Sequence, residues 1–156
     1  MNNSRRNALK AGGSVGLYST LVALGLVKPG DAWAQAWNKG AFETKSFADA
    51  LKALGANAPA ASASVVITAP DIAENGAVVP IAAVSKLPNT QMIAYLIEKN
   101  PNTVTAIFDL PAGTLPEVQT RVKMGQTSNV MVVVKADGKF FTAQKEIKVT
   151  VGGCGG

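Results

Sequence analysis

Val118-Gln119-Thr120-Arg121-Val122-Lys123-Met124 is the stretch whose reading decides the fold class. Val118, Thr120, Val122 and Met124 take every second position, with Gln119, Arg121 and Lys123 between them. Side chains of an extended chain point alternately to opposite faces, so the pattern reads as a strand with one apolar face and one wet face. Downstream, residues 125–128 turn the chain into Asn129-Val130-Met131-Val132-Val133-Val134, and Asp137-Gly138 is a strong hairpin signal leading into residues 139–144. A last strand follows, in which Ile147, Val149 and Val151 alternate with Glu146, Lys148 and Thr150.

Upstream the same grammar holds. Ser64-Val65-Val66-Ile67-Thr68 is a β-type run ended by Pro70-Asp71, and Glu74-Asn75-Gly76 turns into residues 77–84. Pro80 has no backbone donor, which predicts an edge strand or a bulge there. Residues 86–90 and 111–116 read as loops, and residues 91–98 and 103–110 as two strands joined by a tight turn at Asn100-Pro101-Asn102. About seven short strands with turns every 8–12 residues or so predict an all-β chain, an immunoglobulin-like antiparallel β-sandwich over residues 64–151. The disulfide and core tryptophan of antibody domains have no counterpart.

Ahead of the strands, residues 35–63 predict a short helix and a linker. Residues 35–45 read as irregular. Ser46-Phe47-Ala48-Asp49 resembles a capping box, Phe47, Ala50, Leu51 and Leu54 share one helical face, and Gly55 closes the helix. Residues 56–62 are an Ala/Pro/Ser linker by composition. Two runs, 92–97 and 130–134, are apolar on both faces. A half-exposed sheet does not need that, so either the chain's own N-terminal helix and loops cover the outer faces or a partner subunit does.

The first 34 residues read as an export signal. Arg5-Arg6 followed by an uncharged run over 11–27, a break at Lys28-Pro29-Gly30 and small residues at Ala32 and Ala34 resemble a twin-arginine signal peptide cleaved after Ala34. Ala8 departs from the phenylalanine usual at its position. Of the chain's net charge of +5, only +2 belongs to residues 35–156, so the basic balance is no argument for nucleic acid, and no membrane anchor is expected after cleavage.

Histidine is absent and cysteine occurs once. That removes the commonest general base and metal ligand and every Cys-His or Ser-His pairing. Asp71/Glu74 and Asp109/Glu117 are paired acids only in the sense that turns between strands collect carboxylates, and they read as solvated. Lys145 and Lys148 read as ordinary lysines on a solvated strand face. No metal site, cofactor motif or catalytic constellation is expected, and a catalyst is not expected either.

The single thiol is Cys154, in Gly152-Gly153-Cys154-Gly155-Gly156. Glycine has no Cβ to pack and chain ends are loosely held, so residues 152–156 predict a flexible arm presenting a reachable thiol. A thiol of ordinary pKa near 8.5 is only about 3% thiolate at pH 7, so activation is expected from a partner's active site. Three readings stay open at this point. Cys154 carries a covalent substrate; or the terminal Gly-Gly carries sulfur as a thiocarboxylate; or Cys154 forms an intermolecular disulfide in a structural domain.

Together, the twin-arginine signal, the small β-domain, the segment Asp71-Ile72-Ala73-Glu74-Asn75-Gly76-Ala77-Val78-Val79-Pro80-Ile81 and the closing Gly-Gly-Cys-Gly-Gly resemble the SoxY family of sulfur-carrier subunits. The resemblance covers essentially the whole chain. It implies a periplasmic carrier of thiosulfate oxidation, exported folded through Arg5 and Arg6, with no cofactor of its own. It implies Cys154 as the covalent attachment point and Gly152, Gly153, Gly155 and Gly156 as the swinging arm. The partners it implies are a SoxZ-like β-sandwich subunit, a haem enzyme that couples thiosulfate to the thiol and a di-manganese hydrolase that releases sulfate. In some organisms a molybdenum–haem sulfane dehydrogenase joins them.

Overall fold

Residues 38–150 are described by the structure, a computed structural model. The export signal with Arg5 and Arg6, Val151, and the arm with Cys154, Gly152, Gly153, Gly155 and Gly156 lie outside the described residues. In chain order the elements are α1 (Lys39–Phe42), α2 (Phe47–Ala53), β1 (Ala60–Ala61), β2 (Val65–Thr68), β3 (Ile72–Ala73), β4 (Val79–Ser85), β5 (Thr90–Ile97), β6 (Val104–Asp109), β7 (Glu117–Val122), β8 (Ser128–Ala136) and β9 (Lys139–Val149). One sheet runs β1-β9-β8-β5-β6, with β3 also on β9, and the other runs β2-β4-β7. The expected two-sheet antiparallel sandwich is what forms. It has one departure, since β1 and β3 pair with β9 in parallel.

β7 behaves as its alternation dictates. Val122 and Met124 are buried, Val118 and Thr120 half-buried, and Gln119, Arg121 and Lys123 exposed. The β8–β9 hairpin turns at Asp137 (φ 48°) and Gly138 (φ 72°), the two positive values a tight two-residue turn requires. Beyond that turn the two expected runs are one strand of 11 residues. Lys145 had split them in the sequence, yet it occupies the core-facing row with Phe141, Ala143, Ile147 and Val149. Its stem lies half-buried while its ammonium leaves at the sheet edge, donating to the Ala69 carbonyl at 2.6 Å and pairing with Asp71 at 2.9 Å. Lys145 is therefore not the solvated lysine the sequence suggested, whereas Asp71 is exposed as read, with Lys145 as its partner.

Pro80 lies within the middle strand of the small sheet, not in an edge strand. β2 pairs only with residues 82–85 of β4, so at Pro80 the strand has a neighbour on one side alone, opposite Arg121. A missing donor costs no ladder bond on an unaccompanied side.

The inter-sheet core contains Val79, Ile81, Ala83 and Val122 from the small sheet and Ile93, Tyr95, Ile97, Val130, Val132, Val134 and Ile147 from the large one. The other face of the large sheet forms a second cluster. Met92, Ala94, Leu96 and Val133 pack there with Ala41, Ala50 and Ala56, flanked by Phe42, Phe47, Leu51 and Leu54. This decides the question of the two doubly apolar runs. They belong to adjacent central strands, and α1 and α2 cover their outer faces, so those faces are not a subunit interface.

The helix layer also corrects the reading of residues 35–63. α1 forms where an irregular start was expected, its first turn held by Asn38, whose side chain accepts from the Ala41 amide at 3.2 Å. Within the expected linker, Ala56 is buried and Ala60–Ala61 pair with β9. At α2 the Ser46 hydroxyl accepts from the Asp49 amide at 3.1 Å and donates to its carboxylate at 2.7 Å, a tighter loop than a glutamate would close. Removing that cap in Ser46→Ala is expected to cost about 1 kcal/mol in urea unfolding. An unchanged midpoint would show that α2 is held by its apolar face alone.

Candidate functional site: the strand end that leads to Cys154

Cys154 follows Thr150, the last described residue, by four positions, so the end of β9 is the described structure nearest to it along the chain. That end is gripped on both sides. On its outer side, β3 pairs Ile72 with Lys148 and Ala73 with Val149. The Lys148 amide donates to the Asp71 carbonyl at 2.9 Å and the Thr150 amide to the Ala73 carbonyl at 3.1 Å. The Thr150 hydroxyl adds a bond to the Glu74 carbonyl at 3.2 Å. On its inner side, beyond the last β8 pairing at Ser128–Ile147, the Val149 amide donates to the Thr127 hydroxyl at 2.9 Å. Thr127 takes over where the ladder stops.

Residues 71–81 thus have a physical task. They run beside β9, turn at Asn75, whose side chain accepts from the Ala77 amide at 2.8 Å, and cross to the small sheet as β4. The Met124 amide donates to the Gly76 carbonyl at 2.7 Å and ties the crossing down. One segment therefore anchors the end of β9 to both sheets. The Asp71 carboxyl is held below its usual range, first by the hydrogen bond from Lys145 and then by the Lys145 charge, with a smaller contribution from Lys148. Because the folded pKa is depressed, this pairing is complete above about pH 4 and fades as pH falls through the folded value.

Sequence reasoning did not find Thr127, the β3 grip or the inward Lys145. A lone threonine in a turn carries no signal, and a two-residue strand is too short to show a period. Thr127→Val should leave the Val149 amide without its acceptor. The expected loss is about 1 kcal/mol locally, read as roughly fivefold faster hydrogen exchange at Val149 with little change elsewhere.

The other candidates gather no chemistry. Glu74, Asp109 and Glu117 are exposed, as read from the sequence. Among the described residues no group of three or more metal-ligating side chains occurs, and no helix is long and apolar enough to cross a membrane. A cleft of about 640 Å³ lined by Leu87, Thr90, Gln91, Leu110 and Pro116 lies at the opposite end of the sandwich, and its Asp137 is bonded to Asn89 at 2.8 Å.

A family model described as "Sulfur oxidation protein SoxY" matches residues 50–154, from α2 as far as Cys154 itself. The chain belongs to the SoxY family. A solved SoxY, the sulfur carrier protein from Chlorobium limicola f thiosulfatophilum, is 38% identical over 67% of this chain and 96% of its own, with a TM-score of 0.61. A superoxide reductase (neelaredoxin) from Ignicoccus hospitalis is 18% identical over 55% of this chain and 79% of its own, with a TM-score of 0.49, a likeness that decides nothing. No curated protein matches the chain. The SoxY match reaches over both grips on β9 and ends on the lone cysteine.

Proposed function

We propose that this SoxY protein carries sulfur covalently on Cys154 during thiosulfate oxidation in the periplasm, and that other proteins do the chemistry. The observation that carries the reading is the family match through Cys154, the only cysteine in the chain. Geometry supports it. A strand gripped on both sides delivers a short glycine-bounded tether, so the thiol reaches at most about 14 Å beyond Thr150. Glycine at 152, 153, 155 and 156 keeps that tether narrow enough to enter an active-site channel.

In the proposed loading step, the sulfane sulfur of thiosulfate bonds to the Cys154 sulfur to give a thiol-bound S-thiosulfonate. The thiol proton goes to solvent and two electrons to the haem groups of the coupling enzyme. Water then attacks the terminal sulfonate sulfur, releasing sulfate and leaving a persulfide on Cys154. The second step is a hydrolysis and exchanges no electrons, as suits a di-manganese hydrolase. A SoxZ-like subunit as companion and export folded through Arg5 and Arg6 complete the proposal.

Intact-mass analysis of the protein from cells oxidising thiosulfate tests it. Adducts of sulfane sulfur or thiosulfate mapped to Cys154 are expected. A thiocarboxylate on Gly156, or a disulfide-linked dimer alone, would overturn the reading.

A further inference from the structure

Asn75-Gly76 is the only asparagine–glycine pair in the chain, and every other asparagine is followed by a residue that carries a side chain. Asn75 is exposed, in the turn between β3 and β4. Its side-chain oxygen accepts from the Ala77 amide at 2.8 Å, which folds the carboxamide back over the intervening peptide nitrogen of Gly76. The same hydrogen bond draws electrons away from the carboxamide carbon. Gly76 uses its carbonyl for Met124, but its nitrogen donates to no described residue, and with no Cβ beside it nothing hinders its approach to that carbon. Asp137-Gly138 has the opposite arrangement. There the glycine amide is engaged by the Gln91 side chain at 3.4 Å, and the Asp137 carboxylate, a poor electrophile when ionised, accepts from Asn89 at 2.8 Å.

The turn at Asn75 has no slack. On one side the Ala73 and Glu74 carbonyls hold the amide and the hydroxyl of Thr150. On the other, Gly76 is buried and tied to the buried Met124, and Val79 follows fully buried in β4. A backbone atom added between Asn75 and Gly76 must therefore displace one side. β3 is the side that yields, being two residues long with Ile72 56% exposed.

We propose that Asn75 is a site of spontaneous covalent modification, where conversion to isoaspartate releases the hold of β3 on the end of β9. The Gly76 nitrogen gives up its proton to solvent base and bonds to the Asn75 side-chain carbon, and ammonia leaves, closing a succinimide. Water then opens the ring. Opening at the main-chain carbonyl routes the backbone through the side-chain carbons, which adds one atom to the chain and leaves a free carboxylate beside Glu74. Opening at the other carbonyl gives aspartate. No electrons are exchanged in either step, and asparagine is among the residues prone to such chemistry. The product accumulates with the age of the molecule.

The test incubates the full chain in mildly acidic and in mildly alkaline buffer and follows two readouts. Peptide mapping is expected to find isoaspartate at position 75 forming at least about tenfold faster than at any other asparagine, and faster in the alkaline buffer. Hydrogen exchange at the Thr150 amide is expected to rise about tenfold in the isoaspartate form, as two bonds to β3 and its turn are lost, with Ala143 in the middle of β9 unchanged. Freshly prepared Asn75→Asp carries the same added charge without the extra atom, and its Thr150 exchange is expected to stay within about twofold of the wild type. Isoaspartate forming at 75 no faster than elsewhere overturns the proposal. So does an isoaspartate form whose Thr150 amide exchanges as before, or an equal rise in Asn75→Asp, which would assign the loosening to charge. Neither readout involves sulfur, so the outcome is independent of the carrier reading.

Discussion

Cys154→Ser is expected to abolish loading of thiosulfate-derived sulfur, to below about 1% of the wild-type level, while the unfolding midpoint moves by no more than about 0.5 kcal/mol. Serine keeps the size and polarity of the side chain but replaces the sulfur that must form the S–S bond. Nothing else in the chain can substitute, because no second cysteine exists. Stability is expected to hold because both described core clusters close without this residue. Intact mass after incubation with thiosulfate and the loading enzyme, together with urea unfolding of both proteins, reads the two quantities. A serine variant that still supports wild-type thiosulfate turnover would contradict the assignment of Cys154.

The largest structural effect is expected at Tyr95. Its ring is fully buried in the inter-sheet core and meets Phe108 edge-on, with centroids 6.1 Å apart. Its hydroxyl crosses from the large sheet to the small one and donates to the Val118 carbonyl at 2.7 Å, beside the Ala83 backbone that pairs with Val118. Tyr95→Ala is expected to cost about 3–5 kcal/mol, a large part of the 5–15 kcal/mol typical of a domain, and to leave little folded protein at 37 °C. Tyr95→Phe keeps the ring and removes only the hydrogen bond, so about 1–2 kcal/mol is expected. Equal losses in the two variants would mean that the bond, not the packing, dominates.

The same tyrosine supplies a pH signature. Burial pushes its ionisation up to about 12, against a smaller downward pull from the Ala83 backbone hydrogen bond. A folded pKa raised above the unfolded value of about 10 means that the neutral form's contribution is complete below pH 10 and is lost as pH climbs through 12. Tyr18 lies in the proposed export signal, so Tyr95 is the only tyrosine of residues 35–156. Absorbance near 295 nm should therefore show one late transition in the folded protein and one near pH 10 in urea. A single transition near pH 10 in both would place the hydroxyl in water.

What was legible in the sequence follows from what a period can encode. The alternation of 118–124 and the Asp137-Gly138 turn were enough for the sandwich, since strand period and turn chemistry are local properties. The runs 92–97 and 130–134 announced their burial but not their cover, because covering is a tertiary relation. The helix that does the covering was read from Ser46 and its apolar face, yet its docking place was not. Lys145 misled because a charged residue at a core-facing position makes sense only when Asp71 and the Ala69 carbonyl, more than seventy residues away, are known to meet it. The outer face of the small sheet, uncovered among the described residues, was missed for the opposite reason. Residues 77–84 are apolar on both faces, but Pro80 drew the reading toward an edge strand and away from the outer surface. Cys154 needed no fold to be singled out, being alone in the chain, whereas the grip on its strand at Thr127 and Ala73 became visible only in the hydrogen bonds.

Thiosulfate labelled with ³⁵S separately in its inner and outer positions tests the central claim most directly. After a single turnover with the loading and sulfate-releasing enzymes, label from the outer sulfane atom is expected on the peptide containing Cys154. Label from the inner sulfonate atom is expected in free sulfate. Recovery of neither label on that peptide, with sulfate still released, would show that sulfur does not pass through Cys154.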